Sequence, residues 1–363
     1  MRIRPYFLML LLALATIPMM AQQLIPLHQH KLHPDQVPPS NYSGIYRVSG
    51  DTYALVSDQE KEDGFYLMAI SMDLQTGKIT NARRTGYRSS PSKKLDRQGM
   101  SIRDLEGIAY HPGTNTFFLA GEGDEEVLEY DSLGLPTGRK LDMPQSFGID
   151  NIRTNFGIES LTYNNVTRQF WTTTESTLKS DGEMADKNNP SVRNRLRFQS
   201  FNADLSRGQQ FAYMMEIPIC AKNGKHPKTL LHGVSDICAL DDGRLIVMER
   251  EIYVSKKNMN NYVNIRLFMV NPSTSQSIDE HTPLSQQPVS NFMKKTELCS
   301  FKTKGNITRR NIANYEGICL GPKLNDGRQT LLLINDTQNG MTRHGIRLKE
   351  YIKVLILESE KTE

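Results

Sequence analysis

The 363-residue chain carries 44 Lys and Arg against 40 Asp and Glu, a formal charge of +4. So even a balance excludes a partner held through overall charge, and neither nucleic acid nor an anionic membrane surface is expected. The length exceeds what one compact core ordinarily fills, so the chain requires either two domains or a repeat architecture.

At the N-terminus, Arg2 and Arg4 precede an apolar run from Tyr6 to Met20, and Ala21 stands before Gln22 and Gln23. This is the layout of a cleavable signal peptide over residues 1–21. The run is interrupted by Pro18 and falls short of the ~20 apolar residues that a membrane-crossing helix needs. No later stretch approaches that length. Residues 22–363 are therefore expected to form one exported domain, periplasmic or secreted and monomeric, with no integral membrane segment. Its first residues include His28, His30 and His33, which read as a solvated leader.

Beyond the leader a short phrase recurs: a small or acidic residue, a Gly-like residue, then Ile or Leu. Its copies are Ser43-Gly44-Ile45, Glu106-Gly107-Ile108, Glu159-Ser160-Leu161, Ser235-Asp236-Ile237 and Glu316-Gly317-Ile318. Each opens a strand-like run, and turn residues follow, as in Ser49-Gly50-Asp51, His111-Pro112-Gly113 and Asp241-Asp242-Gly243. A second strand comes next: Tyr53 to Val56, Thr116 to Ala120, Gln169 to Thr173, Arg244 to Met248 and Thr330 to Ile334. Their β-branched and aromatic content fits strands rather than helices. Further strand candidates lie downstream of each hairpin. The predicted class is all-β, a β-propeller of five or six blades with about four antiparallel strands each. The long interval between Ser235 and Glu316 has room for a sixth blade. The last strand, Ile352 to Leu357, is expected to share a blade with the N-terminal segment and close the ring.

Hairpin geometry then locates the chemistry. The start of a first strand and the end of a second lie at the same edge of a sheet. Glu106, Glu159 and Glu316 should therefore meet Asp58, Glu122, Glu175, Glu249 and Asp336 at one mouth of the channel, with Asp104, Asp236, Arg250, Asn314 and Asn335 in support. Carboxylates crowded in this way repel one another unless a counter-charge is present. A hard divalent cation supplies it, and calcium accepts six to eight oxygen ligands in flexible geometry. Arg250 has the guanidinium needed to pair with a carboxylate or an anionic substrate group.

The remaining motifs bear on function less directly. Arg83, Arg84, Arg88, Lys93, Lys94, Arg97 and Arg103 cluster in a Ser/Pro/Gly-bearing stretch that reads as a solvated loop. Cys220, Cys238, Cys299 and Cys319 permit disulfides but form no CxxC pair, so a zinc site is not expected. Gly-x-Ser-x-Gly and His-Glu-x-x-His are absent. The single tryptophan, Trp171, reads as core.

Asp104-Leu-Glu-Gly-Ile-Ala-Tyr110, Gly157-Ile-Glu-Ser-Leu161, Asp242-Gly-Arg-Leu-Ile-Val-Met-Glu-Arg250 and Asn314-Tyr-Glu-Gly-Ile318 together resemble the phytase-like family described by an esterase-like activity of phytase, a group of exported bacterial propellers. The resemblance runs from about Gly44 to Leu357. It implies phosphoester hydrolysis by repeated acids, here Glu106, Glu159, Glu249 and Glu316, with Asp58, Glu122, Glu175 and Asp336 at the hairpin ends. The leading expectation is a calcium-assisted hydrolase of a small anionic ester, with Glu106 or Glu316 accepting the proton. The alternatives are a non-catalytic, calcium-stabilised propeller that binds a glycan, peptide or surface partner, and a lactonase-like propeller.

Overall fold

Each copy of the phrase lies on the innermost strand of a four-stranded antiparallel sheet, and the fifth sheet is completed from the opposite end of the chain. The computed structural model describes residues 22–257, 260–305, 311–338, 342–343 and 346–358; the expected signal peptide, residues 1–21, lies outside them. Blade 1 runs outward through Tyr42–Ser49, Thr52–Ser57, Glu62–Met72 and Ile79–Pro91. Blade 2 comprises Leu105–His111, Thr116–Gly121, Glu126–Tyr130 and Pro136–Lys140, and blade 3 comprises Ile158–Asn164, Gln169–Thr174, Arg195–Phe201 and Arg207–Met214. Blade 4 is built from Pro227–Ala239, Leu245–Ser255, Asn261–Val270 and Lys295–Gly305. Blade 5 takes Asn314–Lys323, Gln329–Asp336 and Tyr351–Leu357, and its outer strand is Leu24–Pro26.

The ring closes as the sequence predicts, with Leu24 opposite Leu357 and Pro26 opposite Leu355. His30–Lys31 also pairs with the last strand, so the histidine-bearing leader is part of blade 5 rather than a free tail. Inner strands of successive blades touch in a closed cycle. Apolar cores fill the gaps between them: Val56 and Phe65 meet Phe117 and Leu119, Phe118 meets Phe170, and Trp171 and Tyr213 meet Val247 and Phe268. Met248 and Leu267 meet Leu331 and Leu355, and Leu332 and Ile334 meet Leu55 and Met68. Inner strands are consequently buried on both faces, as in Ile158–Asn164, whereas the outer strand Pro136–Lys140 is exposed throughout.

The Gly-like position of the phrase has a steric origin. A Cβ added at Gly107 would lie 2.9 Å from the backbone nitrogen of Leu161 on the next inner strand, closer than non-bonded atoms approach. Near the axis, strands converge until little room for side chains remains.

Among the described residues there are five blades and no sixth. The long interval is filled by the extended strands of blade 4 and by a loop over residues 271–294, which runs along the outer strand of blade 3, with Ile278 bridging Gln210 and Phe292 bridging Ala212. The basic stretch also differs from the expected loop. Arg83, Arg84 and Arg88 lie on the edge strand Ile79–Pro91, where Ser and Pro are tolerated because one side needs no partner. Arg103 is buried, donating to Asp124 at 2.8 Å and to the Tyr130 hydroxyl at 2.7 Å. Trp171 is core, as expected, and all four cysteines are free thiols. Among the described residues no helix is long and apolar enough to cross a membrane.

Candidate functional site

The acidic residues reach the mouth through a device repeated in every blade. The pairing of each first strand with its second slips by one residue at the phrase: between Tyr42 and Gly44, Leu105 and Gly107, Ile158 and Ser160, Val234 and Asp236, and Tyr315 and Gly317. The extra residue of each β-bulge is Ser43, Glu106, Glu159, Ser235 or Glu316. A bulged residue leaves the strict in-and-out alternation and is re-aimed. Three bulges thereby carry a glutamate next to a tightly packed position without losing the register of the blade.

The ends of the second strands supply the rest. Ser57, Gly121, Thr174, Glu249 and Asn335 occupy equivalent places opposite the bulges. The next residues, Asp58, Glu122, Glu175, Arg250 and Asp336, therefore form the ring. Blade 4 contributes its arginine, not Glu249. Strand side chains alternate with period 2, so an offset of one residue turns Glu249 away from the channel. Its carboxylate accepts from the Tyr213 hydroxyl at 2.7 Å and from Lys295 Nζ at 2.6 Å.

Two groups of carboxylates have oxygens mutually within 4.8 Å: Asp58, Asp104 and Glu106, and Glu106, Glu122 and Glu159. Glu106 and Glu159 are each 7% exposed, and no donor among the described residues hydrogen-bonds either carboxylate. Glu122 Oε1 accepts from the Gly157 N–H at 3.0 Å, and Asp104 Oδ1 accepts from the Gln59 N–H at 3.1 Å. Gly157 leaves space for its neighbours, since a Cβ there would meet a Glu125 oxygen at 2.3 Å and the Glu122 side chain at 2.7 Å. On the other side of the mouth, Arg250 donates through Nη2 to Glu175 at 2.7 Å and through Nη1 to Asn314 at 3.1 Å, and also bonds Glu316. Asn314 Nδ2 donates to Glu316 Oε1 at 2.7 Å.

The electrostatics follow from burial. Desolvation first, then Glu159, Asp58 and Glu316, push Glu106 well above the ordinary carboxylate range. Glu159 is pushed up in the same way, by burial and then by Glu175 and Glu122. Asp58 is pushed up to about 9 by burial and then by Asp336 and Glu316. Burial raises Glu122 to about 7 against the Gly157 N–H, and raises Glu316 to about 8 although Arg250 pulls it back. Burial also opposes the charge on Arg250, but Glu316, Glu175 and Glu159 outweigh it and hold the guanidinium charged.

The donor set fits a hard cation, because every candidate ligand is an oxygen. Two buried oxygens without hydrogen-bond partners, Asp58 Oδ1 and Asn41 Oδ1, point to the same conclusion. Asn41 is 3% exposed and its side chain lies within hydrogen-bonding range of Asp58.

Over residues 38–338 the chain matches the phytase-like family, described as "Esterase-like activity of phytase". The chain belongs to the phytase-like family. No curated protein matches the sequence. Among solved structures it is similar to a luciferin-regenerating enzyme, at 10% identity and a TM-score of 0.42 over 93% of this chain and 99% of that one. It is also similar to the α-L-arabinofuranosidase PaAbf62A of Podospora anserina, at 7% identity and a TM-score of 0.43 over 93% and 98% of the two chains. Likeness this distant says nothing of activity.

In this phytase-like propeller, the mouth gathers Asp58, Glu106, Glu122, Glu159, Glu175, Arg250, Glu316 and Asp336 from the expected set and leaves out Glu249. Asp104 and Asn314, expected in support, join them. Asp236 sits deeper, at the Gly-like position, where its carboxylate accepts the N–H groups of Ile237 and Ile318, both at 2.8 Å. Asn335 accepts from the Tyr351 N–H at 2.6 Å and is part of blade 5. Sequence reasoning missed Glu125, which is buried at φ 56° and accepts from the Ile158 N–H at 3.0 Å. It also missed Asn41. A signal for Asn41 existed: it precedes Ser43 by two residues, as Asp104 precedes Glu106 and Asn314 precedes Glu316.

Proposed function

We propose that the acidic mouth binds a divalent cation of calcium's class and hydrolyses phosphoesters or related small anionic esters. The observation that carries this reading is the pair of buried carboxylates, Glu106 and Glu159, gathered with other acids and supplied with no hydrogen-bond donor among the described residues. Such a group is costly unless a cation accompanies it. Asp58, Asp104, Glu106, Glu122 and Glu159 would hold the ion. Bound there, it would supply positive charge to offset the negative charge that develops on an ester's oxygens.

The protein's own residues then have separate tasks. Arg250 and Asn314 fix Glu316 through Oε1, leaving Oε2 to accept a proton from an attacking water. Because burial raises Glu316 to about 8, the carboxylate that accepts this proton becomes the main form only as pH approaches and passes that value. Arg250 acts as a positioning residue, since Glu175 and Glu316 occupy its guanidinium. The activity belongs outside the cytoplasm if residues 1–21 direct export.

The test uses the chelated mature chain with p-nitrophenyl phosphate, p-nitrophenyl acetate and a simple lactone, each with and without calcium. Turnover of the phosphate or acetate ester that is restored by calcium is expected. Glu316→Gln should abolish turnover while leaving calcium binding intact, and Glu106→Gln should weaken binding itself. Unaltered turnover when Glu106→Gln and Glu316→Gln are combined in one chain, or calcium-independent turnover, would remove the reading. Lactone turnover alone would favour the lactonase-like alternative.

A further inference from the structure

We propose that the mouth holds two divalent cations side by side, bridged by Glu106, one between blades 1 and 2 and the other between blades 2 and 3. The inference rests on the cation-dependent reading above and extends it to the number and arrangement of ions. The two oxygen groups, Asp58 with Asp104 and Glu106, and Glu106 with Glu122 and Glu159, share one residue and otherwise come from different strand ends. A carboxylate has two oxygens and can serve a cation with each. Glu106 is the bulge residue of blade 2, the middle blade of the three, so its side chain is the one placed between the others.

Further observations point to ligands in each group. In the first, Asn41 is 97% buried with Oδ1 unpaired, and Asp58 Oδ1 beside it is also unpaired. Asn41 Oδ1 meets no donor among the described residues, whereas Asp58 has the Asn41 amide within reach. In the second, Glu159 is 93% buried without a hydrogen-bond donor. Charge leads to the same number. Arg250 is engaged by Glu175 and Glu316, and none of the five carboxylates in the two groups forms a salt bridge among the described residues. Were all five ionised, one divalent ion would offset two of the five negative charges and two ions would leave a single charge, so the second ion takes the place of protons that the buried acids otherwise keep.

Arg250 explains why the pattern stops at two. It stands at the ring position where the other blades carry Asp58, Glu122, Glu175 and Asp336, and it places a fixed positive charge between blades 3 and 5. A third ion on that side would face the guanidinium. The protein thus supplies one cation covalently and leaves two places to be filled from solution.

Calorimetric titration of the chelated mature chain with calcium, and terbium luminescence as an independent count, test the number directly. Two ions per chain are expected. Asp58→Asn and Glu122→Gln should each leave one, and Glu106→Gln should weaken both at least tenfold. A single ion in the wild-type chain, or a Glu106→Gln variant that loses one ion and retains the other at full affinity, overturns the two-ion arrangement while sparing the cation-dependent reading. No bound ion overturns both. Because a variant can fail through folding, the wild-type chain is also loaded with two equivalents of manganese. Spin-coupled electron paramagnetic resonance is expected from ions sharing a carboxylate. The six-line spectrum of isolated ions would overturn the bridge.

Discussion

Gly107→Ala probes the architecture without altering any charge. The added methyl group would lie 2.9 Å from the Leu161 nitrogen, 2.9 Å from its Cβ and 3.1 Å from the Ser160 carbonyl carbon. These atoms belong to the inner strand of blade 3, and most are main chain, so no flexible side chain can swing away. Overpacking ordinarily costs about 1–3 kcal/mol, and a backbone obstacle places this case near the upper figure. Unfolding entropy of about 2.1 cal/mol/K per residue amounts to about 0.7 kcal/mol/K for a propeller of this length. The melting temperature should therefore fall by about 4 °C. Gly86→Ala is the control, because its Cβ would meet nothing within 4 Å and its φ is not in the left-handed region. Melting is followed by circular dichroism in chelator, so that ion binding does not contribute. Since the obstacle also separates Glu106 from Glu159, calcium affinity should drop in Gly107→Ala and not in the control. Equal melting of the two variants would show that the inner strands are not packed as described.

The remaining predictions concern charge. The folded chain raises Glu122 to about 7 and Glu316 to about 8. Groups raised in this direction contribute stability that is fully present below their unfolded value near pH 4 and is lost as pH climbs through the folded values. Chelated protein should therefore melt lower at pH 8 than at pH 5. Calcium at a hundredfold excess over its dissociation constant adds about 2.7 kcal/mol per ion, or about 4 °C on the same entropy. At pH 5 the gain should be much smaller, because the ion must displace protons. An equal calcium shift at both pH values would contradict the assignment of ligands. Arg250→Met leaves Glu175 and Glu316 buried without their partner, a loss of about 3–5 kcal/mol and about 4–7 °C at pH 8. The deficit should narrow at pH 5, where Glu316 stays neutral, and a pH-independent deficit would assign the loss to packing instead.

Much of this was legible in the chain itself. The turn residues, the period-2 strands and the recurring phrase are local features, and local rules suffice to read Ser49-Gly50-Asp51 as a turn or Thr116 to Ala120 as a strand. Adding the geometry of a hairpin was enough to bring Glu106, Glu159 and Glu316 to the same edge as Asp58, Glu122, Glu175 and Asp336. The closing strand was also legible, because Ile352 to Leu357 reads as a strand beyond the last hairpin, whose blade is otherwise short of strands; it lies between Gln329–Asp336 and Leu24–Pro26.

The three-dimensional pairing decided what remained. Glu249 and Arg250 are adjacent, and only the register of Val234 opposite Glu249 shows that the arginine faces the channel. The bulges that aim the glutamates depend on a partner strand, and Asn41 becomes part of the site only because it lies beside Asp58. The amino-acid order by itself determined the repeating β units and which kinds of side chain they carry, since these depend on neighbours a few residues away. Where each carboxylate points, and how the acids divide into two groups around Glu106, depended on closing the ring, which sets distances between residues that are remote along the chain.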